Sequence, residues 1–260
     1  MSLEELSIDG GYFEPIRAFL ESPEGEGPFP TIIICHGLTA NPIYPIDKHP
    51  IYKKLSEGLV ANGFLTVRFN FTMNLEKDIS TFHIDSEVHD LKIVLKYLLE
   101  DSRVNKKKIG TVGYSLGATI LLMNGYKEKD IKAIVALAPK LELGDDYSDD
   151  PVHQEALQKG FFTHVDNKNT EWKISIDFWE NIFKNGHNKN LKNSIRKLKQ
   201  PLLLVCGKSD NEDKGEAEAI QTLAKHAILE CVEGTDHNFS NDYSINYAVR
   251  KAIEFFNQKL

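Results

Sequence analysis

The chain has 260 residues, 41% hydrophobic and 27% charged, which is the make-up of an ordinary globular protein and excludes a disordered one. A formal charge of −7 disfavours a nucleic-acid binder, which needs a basic surface to neutralise phosphates. No apolar run approaches about 18 residues, so neither a membrane span nor a membrane partner is expected. At this length the chain is one large domain, or one domain carrying an insertion. The first residues include Glu4 and Glu5 where an export signal would carry basic and then apolar residues. Cys35, Cys206 and Cys231 cannot all pair, and each lies in or beside an apolar run. Free thiols in a reducing cytoplasm are therefore expected. No Cys-x-x-Cys or His-rich pair is present, so no metal site is expected.

In chain order, Leu3–Ile8 and Ile16–Leu20 flank Asp9-Gly10-Gly11 and read as an antiparallel edge hairpin. Thr31–Cys35 is a continuous Ile-rich run. Phe64–Phe71, Ile109–Tyr114, Ala133–Ala138, Leu202–Cys206 and Ala227–Val232 are similar. Runs without polar alternation point to strands covered on both faces, as in a parallel sheet. Between them, Pro50–Asn62, Ser86–Glu100, Ser115–Tyr126, Lys214–His226 and Tyr243–Gln258 read as helices. Strand–helix repetition of this kind predicts a doubly wound α/β fold with right-handed crossovers.

The stretch 140–200 is too long for a simple crossover. It is polar, yet it holds both tryptophans, Trp172 and Trp179, with Phe161, Phe162, Phe178 and Phe183. It is expected to be an inserted helical lid, leaving residues 1–139 and 201–260 as the core domain. The spacing of Trp172, Trp179 and Phe183 fits one helix face and favours packing within the lid. The alternative is that Trp172, Phe178 and Trp179 line an apolar substrate pocket.

Gly113-Tyr114-Ser115-Leu116-Gly117 lies where a strand turns into a helix. A tight strand-to-helix turn leaves room only for small residues two before and two after the serine, and it thrusts the hydroxyl out of the sheet edge. Ser115 is the candidate nucleophile, placed at a helix N-terminus that favours developing negative charge. A serine hydroxyl needs a base. His237 lies on a loop after the last predicted strand, whereas His226 falls at a helix end and reads as a cap. The base in turn needs an acid to fix its tautomer. Asp210 follows the strand Leu202–Cys206, with Asp213 the runner-up three residues on, and Asp236 adjoins His237. A helix N-cap is the competing role for Asp210. Cys35-His36-Gly37-Leu38 follows the first central strand, and the amides of Leu38 and Leu116 would form an oxyanion hole. His36 is expected to shape this loop rather than act as a base.

Together these features resemble the α/β-hydrolase superfamily over nearly the whole chain. Glu26–Thr31, His36–Asn41 and the insertion after Pro139 are similar to lidded serine esterases of the cinnamoyl/feruloyl esterase type. The resemblance implies a triad of Ser115, Asp210 and His237, oxyanion amides on Leu38 and Leu116, and an acyl pocket between lid and sheet, with no cofactor. Two departures stand out: Ala118 where a further glycine is common, and Thr72–Asp78 where a glycine-rich loop is common. The expected activity is hydrolysis of small or aromatic carboxylic esters. A serine peptidase or amidase, a thioesterase, and a catalytically silent binding module on the same fold are the alternatives.

Overall fold

A computed structural model describes residues 2–38, 49–72, 78–79, 84–142, 156–165, 171–176, 187–209 and 211–260. The hairpin forms as β1 (Ser2–Ile8) and β2 (Ile16–Ser22), paired antiparallel. β3 (Phe29–Cys35), α1 (Ile51–Ala61), β4 (Leu65–Phe69), a two-residue β5 (Asp78–Ile79) and α2 (Ile84–Glu100) follow. Next come β6 (Val104–Tyr114), α3 (Leu116–Asn124) and β7 (Ile131–Leu137). The later elements are β8 (Phe161–Val165), β9 (Glu171–Ser175), α4 (His187–Lys197), β10 (Leu202–Gly207), α5 (Asn211–Leu223), β11 (Ile228–Val232) and α6 (Asp242–Lys259). Among the described residues, no helix is long and apolar enough to cross a membrane.

Eight strands make one sheet in the order β1-β2-β4-β3-β6-β7-β10-β11. β1, β2 and β4 pair antiparallel, and every other neighbouring pair is parallel. The mostly parallel, doubly wound α/β-hydrolase sheet expected from the sequence is present. Its apolar runs have a direct explanation. Ile33 packs into the core on one face, with Leu91, Leu121 and Leu191, while Ile32 and Ile34 pack on the other, with Leu55, Ala252 and Phe256. A strand buried on both faces has no solvent side on which to place polar residues. α1 and α6 cover one face, and α2, α3, α4 and α5 the other. α6 begins at Asn241, whose side chain accepts the Ser244 amide at 2.8 Å and satisfies one of the unpaired N–H groups of the first turn.

The chain leaves β3 toward β4 on one side, while β6 flanks β3 on the other. The carboxyl ends of β3 and β6 therefore flank the switch point where open α/β sheets form their ligand crevice. Cys35 stands opposite Gly113 there, so the loop at His36 and the turn at Ser115 are neighbours by register.

Within 140–200 the described residues differ from the expected helical lid. β8 and β9 pair antiparallel, and β5 adds to β9 in parallel, giving a three-stranded sheet. Trp172 is therefore a strand residue, opposite His164, and does not share a helix face with Trp179 and Phe183. The reason is local. Gly160 adopts φ +78, which ends the preceding helical turn, and Phe161-Phe162-Thr163-His164-Val165 is rich in aromatic and β-branched residues. Phe178, Trp179 and Phe183 lie outside the described residues. α4 packs on α3 and buries Leu191 and Ile195 in the main core.

Candidate active site

Ser115 has φ +51 and ψ −120, a conformation that costs on the order of 1–3 kcal/mol for a non-glycine residue. Its surroundings hold it there. The Ser115 amide donates to the Leu137 carbonyl at 2.8 Å, and the Ser115 carbonyl accepts from Thr119 at 3.1 Å. The flanking glycines are sterically required. A Cβ at Gly113 would lie 2.5 Å from the Ala118 nitrogen, and one at Gly117 would lie 2.4 Å from the His36 carbonyl oxygen. The small-residue spacing read from the sequence thus reflects backbone pressed against backbone.

The His36 loop abuts this turn. The Phe71 amide donates to His36 Nε2 at 3.1 Å, so Nδ1 carries the proton and donates to the Gly37 carbonyl at 2.7 Å. Burial lowers the His36 pKa to about 4, against which the Gly37 bond works only in part. The ring is neutral, fully engaged and packed edge-on to Phe71. It shapes the loop, as expected. The Gly37 amide donates to the Tyr52 hydroxyl at 3.0 Å, which fixes the backbone just before Leu38.

His237 lies between β11 and α6, with Nε2 3.1 Å from Ser115 Oγ. Its carbonyl accepts from the Tyr114 hydroxyl at 3.2 Å. Its Nδ1 is 2.8 Å from both Oδ1 and Oδ2 of Asp213. Asp213, in the first turn of α5, is thus the carboxylate on the histidine. The preferred sequence candidate, Asp210, lies outside the described residues. The reason for the difference is where the chain turns. α5 starts at Asn211, so its first turn carries Asp213 inward under the His237 loop. Gly207 lets this happen, since a Cβ there would lie 2.3 Å from the Thr235 carbonyl oxygen. The Ser209 amide donates to that same carbonyl at 3.2 Å.

The Asp213 side chain is fully buried. Burial alone would raise its pKa, but the His237 hydrogen bond and the Lys140 ammonium, 3.0 Å from Oδ1, outweigh it and hold the carboxyl below the usual aspartate range. Sequence reading did not single out Lys140. The residue is placed by Thr119, one turn into α3, whose hydroxyl donates to the Lys140 carbonyl at 2.8 Å. The available signal was a lone lysine immediately after the apolar strand β7 and Pro139. Leu38 follows the fixed Gly37 backbone, and Leu116 is the first residue of α3, where N–H groups have no partner within the helix. Trp172 lies on β9 in the small sheet.

The sequence model of the prolyl oligopeptidase family matches residues 73–260. The chain belongs to the prolyl oligopeptidase family. Its eight-stranded, mostly parallel sheet is an α/β-hydrolase fold. Among curated relatives, Esterase FrsA of Klebsiella pneumoniae subsp. pneumoniae is 28% identical over 155 residues, covering 58% of this chain and 34% of that protein. Esterase FrsA of Salmonella typhi is 29% identical over 140 residues, covering 52% of this chain and 31% of that protein. The chain spans about a third of the length of these relatives. Among solved structures, Est1E from Butyrivibrio proteoclasticus superposes with a TM-score of 0.74 at 18% identity, covering 98% of each chain. Dienelactone hydrolase from Anabaena variabilis superposes with a TM-score of 0.69 at 14% identity, covering 100% of each chain. At these identities the likeness is one of fold.

Proposed function

We propose that this family member is a serine carboxylesterase acting on small or aromatic esters through Ser115, His237 and Asp213. The observation that carries the reading is a continuous line of hydrogen bonds: Ser115 Oγ to His237 Nε2 at 3.1 Å, and His237 Nδ1 to Asp213 at 2.8 Å. Asp213 accepts a hydrogen bond from the Nδ1–H of His237 and stays ionised, which leaves Nε2 as the acceptor for the Ser115 hydroxyl. His237 takes that proton as Oγ attacks the ester carbonyl. The oxyanion forms between the amides of Leu38 and Leu116. Each such donor is worth roughly a hundredfold or more in rate. The protonated His237 then gives its proton to the departing alkoxide, leaving an acyl group on Ser115. Water, deprotonated by the same histidine, releases the acid.

The ester preference is supported by the curated relatives, which are named esterases, and by Est1E, of which a form with ferulic acid bound is known. The family name favours a second reading, a peptidase or amidase using the same groups. In either case Trp172, Phe178 and Trp179 are the candidates to meet the apolar part of the substrate. Cytoplasmic location and the division into core and insertion belong to the same proposal.

The test is initial rates on p-nitrophenyl esters of increasing acyl length, methyl hydroxycinnamates, an acyl thioester and an aminoacyl anilide, with Ser115→Ala as control. Ester turnover that disappears in the variant supports the reading. Activity confined to the anilide moves the assignment to a peptidase, and activity confined to the thioester moves it to a thioesterase.

A further inference from the structure

β10 and β11 carry, just beyond their carboxyl ends, the segments that hold Asp213 and His237. They pair in parallel with Cys206 opposite Cys231. Paired residues on neighbouring strands point to the same face. Cys206 lies two residues beyond Leu204, which packs with Ile220 of α5, so both sulfurs lie on the α5 side of the sheet. Neighbouring strands are roughly 4.7–4.9 Å apart, within the Cα separation of roughly 4.4–6.8 Å that disulfides span. The two sulfurs are already 3.1 Å apart, and both residues are free thiols. Their accessibilities differ. Cys206 is fully buried, whereas Cys231 is partly exposed on the terminal strand of the sheet. The third cysteine, Cys35, is buried on β3 at the centre of the sheet.

We propose that Cys206 and Cys231 are a redox modification site that closes to an intramolecular disulfide in the folded protein. The oxidant is a small-molecule disulfide. The accessible Cys231, as thiolate, attacks one sulfur of that disulfide, forming a mixed disulfide and expelling one small thiolate. Cys206, losing its proton to solvent, then attacks the Cys231 sulfur and expels the second. Two protein thiols become one disulfide while the small disulfide is reduced to two thiols, a two-electron exchange. Burial pushes the Cys206 thiol well above its ordinary value, which suits it to the second, intramolecular step rather than to the first attack. The pairing sets the two side chains side by side, and bond formation asks the sulfurs to close from 3.1 Å to about 2.05 Å. The inference does not depend on which ester, amide or thioester the protein hydrolyses.

The experiment uses the full chain under native conditions with oxidised glutathione, quenched with acid and read by intact mass, thiol titration and peptide mapping. The expected result is a loss of about 2 Da, as two hydrogens leave. Titratable thiols fall from three to one, a Cys206–Cys231 cross-linked peptide appears, and dithiothreitol reverses all of it. Cys35→Ser should oxidise in the same way. Cys206→Ala should stop at a glutathione adduct on Cys231, and Cys231→Ser should not cross-link. Three free thiols remaining under excess oxidant would overturn the proposal. So would a stable adduct on wild-type Cys231, a cross-link to Cys35, or oxidation seen only after denaturation.

Discussion

Asp213→Asn is the sharpest test of which carboxylate serves His237. The side chain is fully buried, both oxygens lie 2.8 Å from Nδ1, and Lys140 lies 3.0 Å away. An asparagine of the same shape has one acceptor and no charge. If its NH2 faces Nδ1, the ring changes tautomer and presents an N–H to Ser115, which then has no base. If its oxygen faces Nδ1, the charge that stabilises the imidazolium is still gone. A hydrogen bond to a charged group is worth roughly 1.5–3 kcal/mol. A unit charge about 4 Å from the imidazolium adds about 4 kcal/mol at an effective dielectric of 20, before solvent relaxation reduces it. A loss of about 4–6 kcal/mol is about 10³–10⁴ in kcat/KM, the scale expected when a Ser-His-Asp triad loses this charge. The assay is kcat/KM on p-nitrophenyl acetate, with thermal melting to establish that each variant is folded. Asp210→Asn, made alongside, is expected to leave kcat/KM close to the parent's, because both Asp213 oxygens already meet His237 Nδ1. A crippled Asp210→Asn beside an active Asp213→Asn would refute the assignment.

Three further predictions concern the scaffold. Gly117→Ala places a Cβ 2.4 Å from the His36 carbonyl oxygen, a backbone atom that cannot swing aside. Destabilisation of about 1–3 kcal/mol is expected in a urea melt, with a larger proportional fall in kcat than in stability, because the loop bearing Leu38 is displaced. His36 stays neutral in the folded protein until about pH 4, whereas in the unfolded chain it binds a proton near 6.5. Its contribution is therefore intact above pH 6.5 and lost as pH falls toward 4, about 3 kcal/mol over the window. Comparing urea melts at pH 7.5 and 4.5 should show that loss in the parent and a shallower one in His36→Gln; parallel slopes would contradict it. Glu87 is fully buried, and neither carboxylate oxygen has a hydrogen-bond partner among the described residues. Burial first, and Asp90 second, push its carboxyl well above the usual range. Its cost to stability therefore grows as pH rises. Glu87→Met should stabilise by about 1–3 kcal/mol, more at pH 8 than at pH 5, and a lower melting temperature at both would contradict this.

The parts legible in the sequence were those fixed by period or by sterics. The runs at Thr31–Cys35 and Leu202–Cys206 show continuous burial, and a strand covered on both faces is what produces such a run. Gly113 and Gly117 were legible because the turn leaves no room for a side chain at either place. His237 followed from its place after the last strand. The choice between Asp210 and Asp213 was not fixed in this way. It depends on where α5 begins, and a helix start is poorly marked in Gly207-Lys208-Ser209-Asp210-Asn211, where several residues are good caps. Lys140 was silent because its role depends on Thr119 and Asp213, both distant in sequence. The strands β8 and β9 were hidden because the spacing of Trp172, Trp179 and Phe183 also fits one helix face. β5, the partner of β9, has only two residues and no sequence pattern at all.

The most direct measurement is stoichiometric labelling with a fluorophosphonate, followed by peptide mapping, on the parent, His237→Ala and Asp213→Asn. The account predicts one label per chain, on Ser115, formed rapidly in the parent, abolished in His237→Ala and slowed by orders of magnitude in Asp213→Asn. A folded parent that takes no label, or that carries it on a residue other than Ser115, would contradict it.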